Sequence, residues 1–373
     1  MKVFEHGQTP LELRRFGGQD SGPLRAWDAA DELVVDYLRE QKNHVAEVLF
    51  VNDAFGALTL CQGEWASETF TDSHCSQLAI VRNALNNSIE VEGLRLLNSI
   101  DQVTIQPTHL VVKIPKRIEL LEYQLMQLSK TVLASTKIIL AGMVKHTPRA
   151  VFDISMRWLS AVQVHRAQRK ARLIEGRNLS VPSGYVYKPS GYRLPGLGLS
   201  ITSHPQLFSA GKLDHASRLL ISFFASRNET NVLDLGCGTG VLGLAYASHH
   251  PKAAVSFTDE SKTAVRIAEL NWNQNGFEPN RGTFEVDDCL EKHPCGHYDL
   301  VVCNPPFHLG HSVETSTARR MFVGARRCLS SGGRFLVVAN RHLGYHRQLK
   351  ELFSTAKTIS SDPRFVVIES VKK

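Results

Sequence analysis

Residues 231–240 read NVLDLGCGTG, and this stretch decides the fold. A short apolar run is followed by three glycines at alternate positions and then by an apolar segment, VLGLAYA, that is typical of a helix. Three later segments open with strand-like runs: AVSFTD at 254–259, FEV at 284–286 and YDLVVC at 298–303. Strands that alternate with helices indicate βαβ units and a parallel sheet, so we predict an α/β fold of the doubly wound type. Such folds bind ligands at the carboxyl ends of their strands.

The first half of the chain repeats this outline with different residues at the strand ends. VLFVNDAFGALTL at 48–60 aligns with NVLDLGCGTGVLGL at 231–244, and LVVKIPK at 110–116 aligns with LVVCNPPF at 300–307. The alignment places Asp72 over Asp259 and Ile114 over Asn304. A repeat of this length indicates two tandem copies of one domain, although a chance likeness between two α/β halves is the alternative. The first copy keeps only Gly56 of the glycines, so we predict that it retains the scaffold without the site.

The composition is that of an ordinary globular protein. The chain has 373 residues, of which 43% are hydrophobic and 21% charged, and this length often holds two domains. Its seven cysteines are an odd number and form no CxxC pair, which favours reduced thiols over disulfides or a zinc site. MKVFEHGQTP is no signal sequence, and no apolar run approaches the ~20 residues that span a bilayer. We therefore predict a soluble, cytoplasmic protein with no membrane contact and no metal.

The net charge of +7 lies entirely in the second half of the chain. Residues 1–175 carry 20 Lys and Arg against 20 Asp and Glu, whereas residues 176–373 carry 23 against 16. This excess is compatible with a polyanionic partner such as RNA, although many proteins of similar charge bind no nucleic acid. HRAQRKARL at 165–173 concentrates four basic residues, which either contact RNA or lie on a solvated face.

Acidic residues follow each of the first three strands of the second copy. Asp234 ends the first strand beside the glycine loop, and a pair of aspartates follows the third strand. Asp259 ends the second strand, 25 residues after Asp234, where a carboxylate can accept both hydroxyls of a ribose. Carboxylates would repel a pyrophosphate, whereas they suit a ligand that has a cationic amino-acid end and a ribose, and S-adenosylmethionine has both. Phe208, in the segment 204–220, could pack against the methionine end, or it could be a plain packing residue. The predicted cofactor residues are Asp234, Gly236, Gly238, Gly240, Asp259, Asp287, Asp288 and Phe208.

The fourth strand ends in Asn304-Pro305-Pro306-Phe307. Two prolines end a strand because they lack an N–H, but their carbonyls stay free to accept hydrogen bonds. An exocyclic amine on a ring is a poor nucleophile, and accepting its hydrogens on the Asn304 oxygen and the Pro305 carbonyl would localise its lone pair and aim it. The Phe307 ring could stack on a planar target. We predict Asn304, Pro305 and Phe307 as catalytic residues, and a proline turn that only caps the strand is the alternative.

These motifs resemble a known family. DLGCGTG at 234–240 with Asp259 resembles the class I S-adenosylmethionine-dependent methyltransferases. CNPPFH at 303–308, ARRCLSSGGRFLVVANRHL at 325–343 and the altered first copy resemble the bacterial RlmG/RsmC family of ribosomal-RNA guanine-N2 methyltransferases, and WDAADELV at 27–34 favours its RlmG branch. The family usually has VFSRxGLDxG before the glycine loop, whereas this chain has LFSAGKLDHAS at 207–217. Because of that departure, we predict no specific role for Ser209, Lys212 or Asp214.

The resemblance implies two tandem Rossmann-like methyltransferase domains, each with a doubly wound, mostly parallel sheet. Residues 1–175 would form a degenerate, non-catalytic domain that binds RNA, 176–203 a linker or hairpin, and 204–373 the catalytic domain. The enzyme, a monomer, would transfer a methyl group from S-adenosylmethionine to N2 of one guanosine in 23S rRNA. Five arginines are candidate phosphate contacts, or else solvated helix residues: Arg319, Arg320, Arg326, Arg327 and Arg341.

Four other functions fit part of the pattern. A small-subunit rRNA guanine-N2 methyltransferase or a protein glutamine N5-methyltransferase would share both the glycine loop and the Asn-Pro-Pro-Phe stretch. A dinucleotide-dependent oxidoreductase would share the glycine loop and the ribose-binding acid, but it gives no reason for that stretch. An RNA-binding assembly protein would have two inert copies.

Overall fold

The structure, a computed structural model, describes residues 3–17, 24–41, 44–61, 65–208, 211–306 and 311–373, with side chains from 316 onward in the last range. The chain divides into two compact units, residues 1–188 and 189–373. Within the described ranges, no helix is both long enough and apolar enough to cross a membrane. All seven cysteines belong to these ranges and are free thiols.

The first unit is built around a seven-stranded sheet. Its elements, in chain order, are β1 Val3–Phe4, β2 Leu11–Glu12, α1 Ala29–Glu40, β3 Glu47–Val51, β4 Ala66–Phe70, α2 His74–Asn86, β5 Arg95–Leu97, β6 His109–Lys113, α3 Ile118–Leu128, β7 Lys137–Met143, α4 Arg149–Trp158, β8 Ser160–Val164 and β9 Ala171–Arg177. The strand order is β5-β4-β3-β6-β7-β9-β8, parallel from β5 to β7 and antiparallel beyond. The central strands β3 and β6 are almost wholly buried, as expected for parallel strands covered by helices on both faces.

The second unit contains a second seven-stranded sheet. Its elements are β10 Gly191–Arg193, β11 Ser200–Thr202, α5 His215–Ile221, β12 Asn231–Leu235, α6 Val241–His249, β13 Ala254–Asp259, α7 Lys262–Gln274, β14 Gly282–Val286, β15 Tyr298–Cys303, α8 His311–Cys328, β16 Leu329–Asn340, α9 Tyr345–Leu352, β17 Thr355–Ser361 and β18 Phe365–Val371. The strand order is β14-β13-β12-β15-β16-β18-β17, again parallel except at the last two strands. The two sheets therefore share one topology, and the prediction of two tandem Rossmann-like units is confirmed.

The segment 176–203 contains the end of β9 and the antiparallel hairpin β10–β11. This hairpin is tied to helix α7 by side-chain amides. The N–H groups of Ser200 and Thr202 donate to the side-chain oxygens of Asn275 and Asn271, both at 2.8 Å. The hairpin is thus part of the second unit.

The strand pairings correct the alignment of the two copies at the fourth strand. The last residue of β3 pairs with Val112, and the last residue of β12 pairs with Cys303. The next residues, Lys113 and Asn304, therefore occupy the same position in the two sheets. The sequence alignment, which placed Ile114 at the position of Asn304, is wrong by one residue.

A shift of the same size applies at the second strand. The last residue of β3 pairs with Phe70, and the last residue of β12 pairs with Thr258. Thr71 therefore stands where the second unit has Asp259, and Asp72 lies one residue beyond. The first unit has no carboxylate at the position predicted to hold a ribose.

Candidate active site

Four parallel strands of the second unit end at one edge of its sheet, in the order β14-β13-β12-β15. Leu235 at the end of β12 lies opposite Cys303 at the end of β15. On the other side, β13 pairs with β14 as far as Asp259. The glycine loop, the acids and the Asn304 segment thus follow neighbouring strands. The strand that ends at Cys303 therefore lies beside the glycine-loop strand.

The three glycines of the loop adopt left-handed backbone conformations, with φ of +72° at Gly236, +55° at Gly238 and +79° at Gly240. They serve two different needs. A Cβ on Gly240 would lie 3.0 Å from the Cβ of Ala268 in α7, so this glycine permits close helix packing. A Cβ on Gly238 would meet nothing within 4 Å. The space beside Gly238 is therefore the part of the loop that can receive a ligand.

Asp259 is held firmly at the mouth of this space. One carboxylate oxygen accepts the N–H of Gly238 at 3.0 Å, and the other accepts the N–H of Ser261, the first residue before α7, at 3.0 Å. A carboxylate accepts several hydrogen bonds, which is the chemistry that ribose hydroxyls require. A preoriented carboxylate next to open space is what the predicted ribose contact requires.

Asp234 is wholly buried behind the loop. Its Oδ2 accepts the N–H of Gly243 at 2.9 Å, and its Oδ1 has no hydrogen-bond partner among the described residues. Burial raises the pKa of Asp234 to about 8; the Gly243 N–H lowers it, and the charge of Asp259 raises it again. Asp234 therefore shapes the loop and its electrostatics, and its contact with the cofactor stays a prediction.

The two aspartates after β14 are both buried but have different partners. The carboxylate of Asp287 accepts the N–H of Asp288 at 2.7 Å and the N–H of Lys292 at 3.0 Å, so it stabilises its own loop. The carboxylate of Asp288 forms an ion pair with Arg320 of α8. Asp288 is therefore paired with a side chain, Arg320, which a bound ligand could displace. The cofactor roles of Asp287 and Asp288 both stay predictions.

Asn304 directly follows β15 and is fixed by helix α5. Its side-chain NH₂ group donates to Oγ of Ser217 at 3.0 Å and to Oδ1 of Asp214 at 3.3 Å. Its Oδ1 is buried and has no partner among the described residues. Pro305 and Pro306 then lead the chain out of the sheet. The predicted amine acceptor is thus present and unused.

Asp214 and Ser217 are the site residues that sequence reasoning missed. The departure from the family pattern led us to predict no role for Asp214. The signal that could have found Asp214 is its residue type, because Asp is a favoured N-cap, and Asp214 does accept the N–H of Ser217 at 2.9 Å as the N-cap of α5. What the sequence does not reveal is that this helix start lies against Asn304.

The two aromatic candidates differ in what the structure says of them. The Phe208 side chain is 62% exposed, in the loop that precedes α5. Phe307 lies outside the described residues. The stacking role of Phe307 and the cofactor role of Phe208 stay predictions.

Most of the arginines proposed as phosphate contacts are occupied within the unit. Arg320 forms an ion pair with Asp288, and Arg319 forms one with Glu351 at 3.3 Å. Arg327 donates to the carbonyl of Leu290, and Arg341 donates to the carbonyl of Asp362 at 3.2 Å. Arg326 is exposed and has no ion-pair partner within the described ranges. Arg326 lies in the last turn of α8, just before β16 begins, and its role as a phosphate contact stays a prediction.

Two protein families match the chain, one in each unit. The family described as "RLMG N-terminal domain" matches residues 1–180, and the family described as "Methyltransferase small domain" matches residues 198–369.

Curated relatives match over the whole length. Proteins named "Ribosomal RNA large subunit methyltransferase G" are 37% identical in Pseudomonas aeruginosa PAO1 and 35% identical in Stutzerimonas stutzeri A1501, and in both cases the match covers 100% of each chain. The protein of that name in Aeromonas salmonicida is 35% identical over 100% of this chain and 99% of its own.

A solved structure shares the fold of the whole chain. It is described as the Thermus thermophilus 16S rRNA N2 G1207 methyltransferase RsmC in complex with AdoMet and guanosine. The match covers 100% of this chain and 98% of that one, with a TM-score of 0.77 and 21% sequence identity. The likeness shows that both proteins have the same two-unit architecture.

Proposed function

The chain belongs to the ribosomal RNA large subunit methyltransferase G family, and we propose that it methylates the exocyclic N2 amine of one guanosine in 23S rRNA. It is an S-adenosylmethionine-dependent rRNA methyltransferase, as its relatives are named for this activity. The identity of the amine and of the rRNA molecule are the parts that we propose.

The observation that carries the proposal is the unused oxygen of Asn304. This oxygen is buried at the carboxyl edge of the sheet, next to the strand that carries the glycine loop, and nothing within the described ranges donates to it. A buried acceptor without a donor costs about 1–3 kcal/mol, so it is expected to have a partner in the working complex. An amine hydrogen of the substrate is such a partner.

The residues of the second unit fit the cofactor. Gly238 borders open space, and beside it the N–H groups of Gly238 and Ser261 fix the carboxylate of Asp259, a group of the type that binds ribose hydroxyls. The buried Oδ1 of Asp234 has no partner among the described residues, and a cationic ligand beside it would favour the ionised form of this carboxyl. When bound, S-adenosylmethionine supplies a methyl group that its sulfonium already activates, so the protein contributes position and electrostatics.

Asn304 acts on the nucleophile. Its Oδ1 accepts one hydrogen of the substrate amine, and the Pro305 carbonyl accepts the other, which localises the nitrogen lone pair and orients it. Because Asn304 is held by α5, the acceptor is in place before the substrate arrives, and no reorganisation is needed at the moment of reaction.

The names of the relatives and the guanosine in the RsmC complex support guanine as the base and the large subunit as its source. A base paired within a helix cannot reach a buried acceptor, so the guanosine must be unpaired or extruded, at a cost of a few kcal/mol. Stacking on Phe307 would offset part of this cost.

We assign a non-catalytic role to the first unit because its own residues occupy the equivalent positions. Asp53 accepts the N–H groups of Gly56 at 3.0 Å, Leu58 at 3.1 Å and Thr59 at 2.9 Å, so the loop that would hold a cofactor is closed by its own carboxylate. At the Asn304 position, Lys113 offers a donor where the second unit has an acceptor. This composition supports a scaffold that holds RNA.

The carboxyl edge of the first sheet is basic and suits a phosphate backbone. We define the basic edge as Lys116, Lys145, Arg149 and Lys170, which are exposed and have no ion-pair partner among the described residues. Burial and then the charges of Lys145 and Lys116 lower the pKa of His146, so both cations act on this one imidazole. Neighbouring unpaired cations bind phosphates and release counterions.

The run 165–173 contributes less to RNA binding than its composition suggests. Arg169 is bound by Glu32 at 3.1 Å and by Asp36, and the Arg172 guanidinium lies 5.6 Å from the Phe152 ring. Two of its four basic residues are thus used within the unit. Arg166 and Lys170 remain exposed for RNA.

The proposal is tested by mapping N2-methylguanosine in 23S and 16S rRNA from cells with and without the gene. We expect one position in 23S rRNA to lose its methyl group when the gene is deleted, and to regain it with the wild-type gene but not with Asn304→Ala. Loss of a mark from 16S rRNA, or methylation of a protein glutamine instead, would overturn the proposal.

A further inference from the structure

The orientation of the Asn304 amide is determined by its hydrogen-bond partners, and not by the shape of the side chain. An asparagine side chain can be turned by 180° with little change in volume, which exchanges its oxygen for its NH₂ group. An ionised carboxylate only accepts hydrogen bonds, so the end of the amide that faces Asp214 must be the NH₂ group. The amide oxygen is then forced to face the other way.

We propose that Asp214 and Ser217 are positioning residues, which hold the Asn304 amide with its oxygen towards the reacting amine. This inference rests on the proposed function of Asn304 as the amine acceptor. If the amide were reversed, its NH₂ group would meet the substrate's own N–H groups, and donor would face donor. Asp214 and Ser217 together prevent that reversal, because each accepts from the NH₂ group and Asp214 cannot donate.

The first unit has the same arrangement of a helix start against a strand end, but the residue that is held there is a lysine. Asp28 is the N-cap of α1 as Asp214 is of α5, and Asp31 follows it by three residues as Ser217 follows Asp214. The Lys113 ammonium, at the position equivalent to Asn304, donates to Asp28 at 2.8 Å and to Asp31 at 2.6 Å. In the first unit the start of α1 thus binds the last residue of β6, and in the second unit the start of α5 binds the residue after β15.

The chemistry of each helix start matches the group that it holds. Two carboxylates, Asp28 and Asp31, neutralise an ammonium in the first unit. One carboxylate and one hydroxyl, Asp214 and Ser217, hold a neutral amide in the second, where a second negative charge would be left unpaired. The matched difference indicates that the second helix start is adapted to orient Asn304, beyond capping its helix.

The variant Asp214→Ser separates positioning from capping. Serine caps a helix about as well as aspartate, so α5 keeps its start, but the shorter side chain cannot reach Asn304. We expect kcat for methyl transfer to RNA to fall by about 10- to 100-fold, since misplacement of a catalytic group by about 1 Å can cost that much. The dissociation constant for S-adenosylmethionine should stay within about threefold of wild type.

Three further variants complete the test. Asp28→Ser makes the same cap exchange in the first unit, and kcat at saturating RNA should stay within about twofold of wild type. Asp214→Asn keeps both the cap and an acceptor oxygen, so it should recover part of the activity that Asp214→Ser loses. Ser217→Ala removes only the 3.0 Å hydrogen bond and should lower kcat by about three- to tenfold, which keeps the test available if Asp214→Ser does not fold.

The inference is wrong if Asp214→Ser or Ser217→Ala turns over like wild type, or if Asp28→Ser loses as much kcat as Asp214→Ser. These outcomes differ from failure of the proposed function, which the wild-type protein alone reports. If wild type methylates an amine other than guanine N2, the proposed function fails, whereas the ratio of variant to wild-type kcat on that amine still tests the positioning. If wild type methylates nothing, both fail.

Discussion

Asn304 has a side-chain NH₂ group held by helix α5 and an acceptor oxygen that no described residue uses. Asp259 accepts the N–H groups of Gly238 and Ser261, and Asp287 accepts those of Asp288 and Lys292. The NH₂ group of Asn304, by contrast, donates to the start of α5. At the scale of single residues, the function therefore depends on which lone pairs the fold leaves free.

We expect Asn304→Ala to lower kcat by about 100-fold or more, because it removes an acceptor that acts on the nucleophile. Cofactor affinity should stay within about threefold, as measured by isothermal titration with S-adenosylmethionine. Asn340→Ala is the matched control, since Asn340 ends the adjacent strand β16, and it should leave kcat unchanged. Equal losses in both variants would contradict the assignment.

Asp234 should make stability depend on pH. Its pKa is about 8 in the folded protein and about 3.9 in the unfolded chain, so folding binds a proton between these values. The free energy of unfolding of wild type, relative to Asp234→Asn, should fall as pH rises from 5 to about 8, by at most about 1.4 kcal/mol per pH unit, and then level off. Urea unfolding at several pH values measures this difference, and a constant difference would contradict the pKa assignment.

At the scale of elements, packing around the glycine loop decides which glycines are replaceable. Gly243 lies in the first turn of α6, and a Cβ there would be 2.3 Å from the Phe257 ring of β13. In an exposed helix, Gly→Ala stabilises by about 1 kcal/mol, but here the clash reverses the sign.

We expect Gly243→Ala to destabilise the second unit by about 1–3 kcal/mol, the usual cost of overpacking a core. Gly93→Ala in the first unit is the control, because its Cβ would approach only the Glu90 carbonyl, at 3.7 Å. Denaturant unfolding of both variants measures the difference. If Gly243→Ala proves at least as stable as wild type, the close packing of α6 on β13 is wrong.

The sequence predicted the order of the elements well, because alternating apolar strands and helices leave few arrangements for a parallel sheet. It predicted the register of the two copies less well. Both copies contain Phe-Thr-Asp and Leu-Val-Val, and matching these letters put Asp72 over Asp259 and Ile114 over Asn304. Strand pairing moves both matches by one residue, since a residue's place in a sheet is set by its partners on neighbouring strands.

The site was predictable where its residues follow strands and less so where it depends on contacts between distant segments. Asn304 and Asp259 were found because strand ends share an edge. The contact between Asp214 and Asn304 joins residues 90 positions apart, and nothing in the local pattern reports it. The Asp288–Arg320 ion pair was hidden for the same reason, since Arg320 was considered only as a phosphate contact.

At the scale of the whole molecule, one topology is used twice with opposite chemistry at the same edge. In the second unit, acidic residues surround the open space beside Gly238. In the first unit, Asp53 closes the corresponding loop, and the exposed cations of the basic edge lie at the same edge of the sheet. We infer that duplication allowed one copy to keep the reaction while the other came to hold the polyanion.

The basic edge should contribute to RNA affinity through counterion release. We expect Lys145→Glu to weaken binding of 23S rRNA fragments by about three- to tenfold and to reduce the slope of log K against log salt by about 1. Lys130→Glu is the control, because Lys130 is also exposed but lies between α3 and β7, at the opposite edge of the sheet. Fluorescence anisotropy across a salt series measures both, and equal effects would contradict a specific RNA-binding edge.

The central claim is that this chain methylates guanine N2, with Asn304 as the acceptor. It is tested most directly by incubating the purified protein with labelled S-adenosylmethionine and 23S rRNA from cells that lack the gene, and then analysing the labelled nucleosides. We predict that the label appears only in N2-methylguanosine, and that Asn304→Ala reduces it by about 100-fold. Label in a different nucleoside, or full transfer by the Asn304→Ala variant, would contradict the claim.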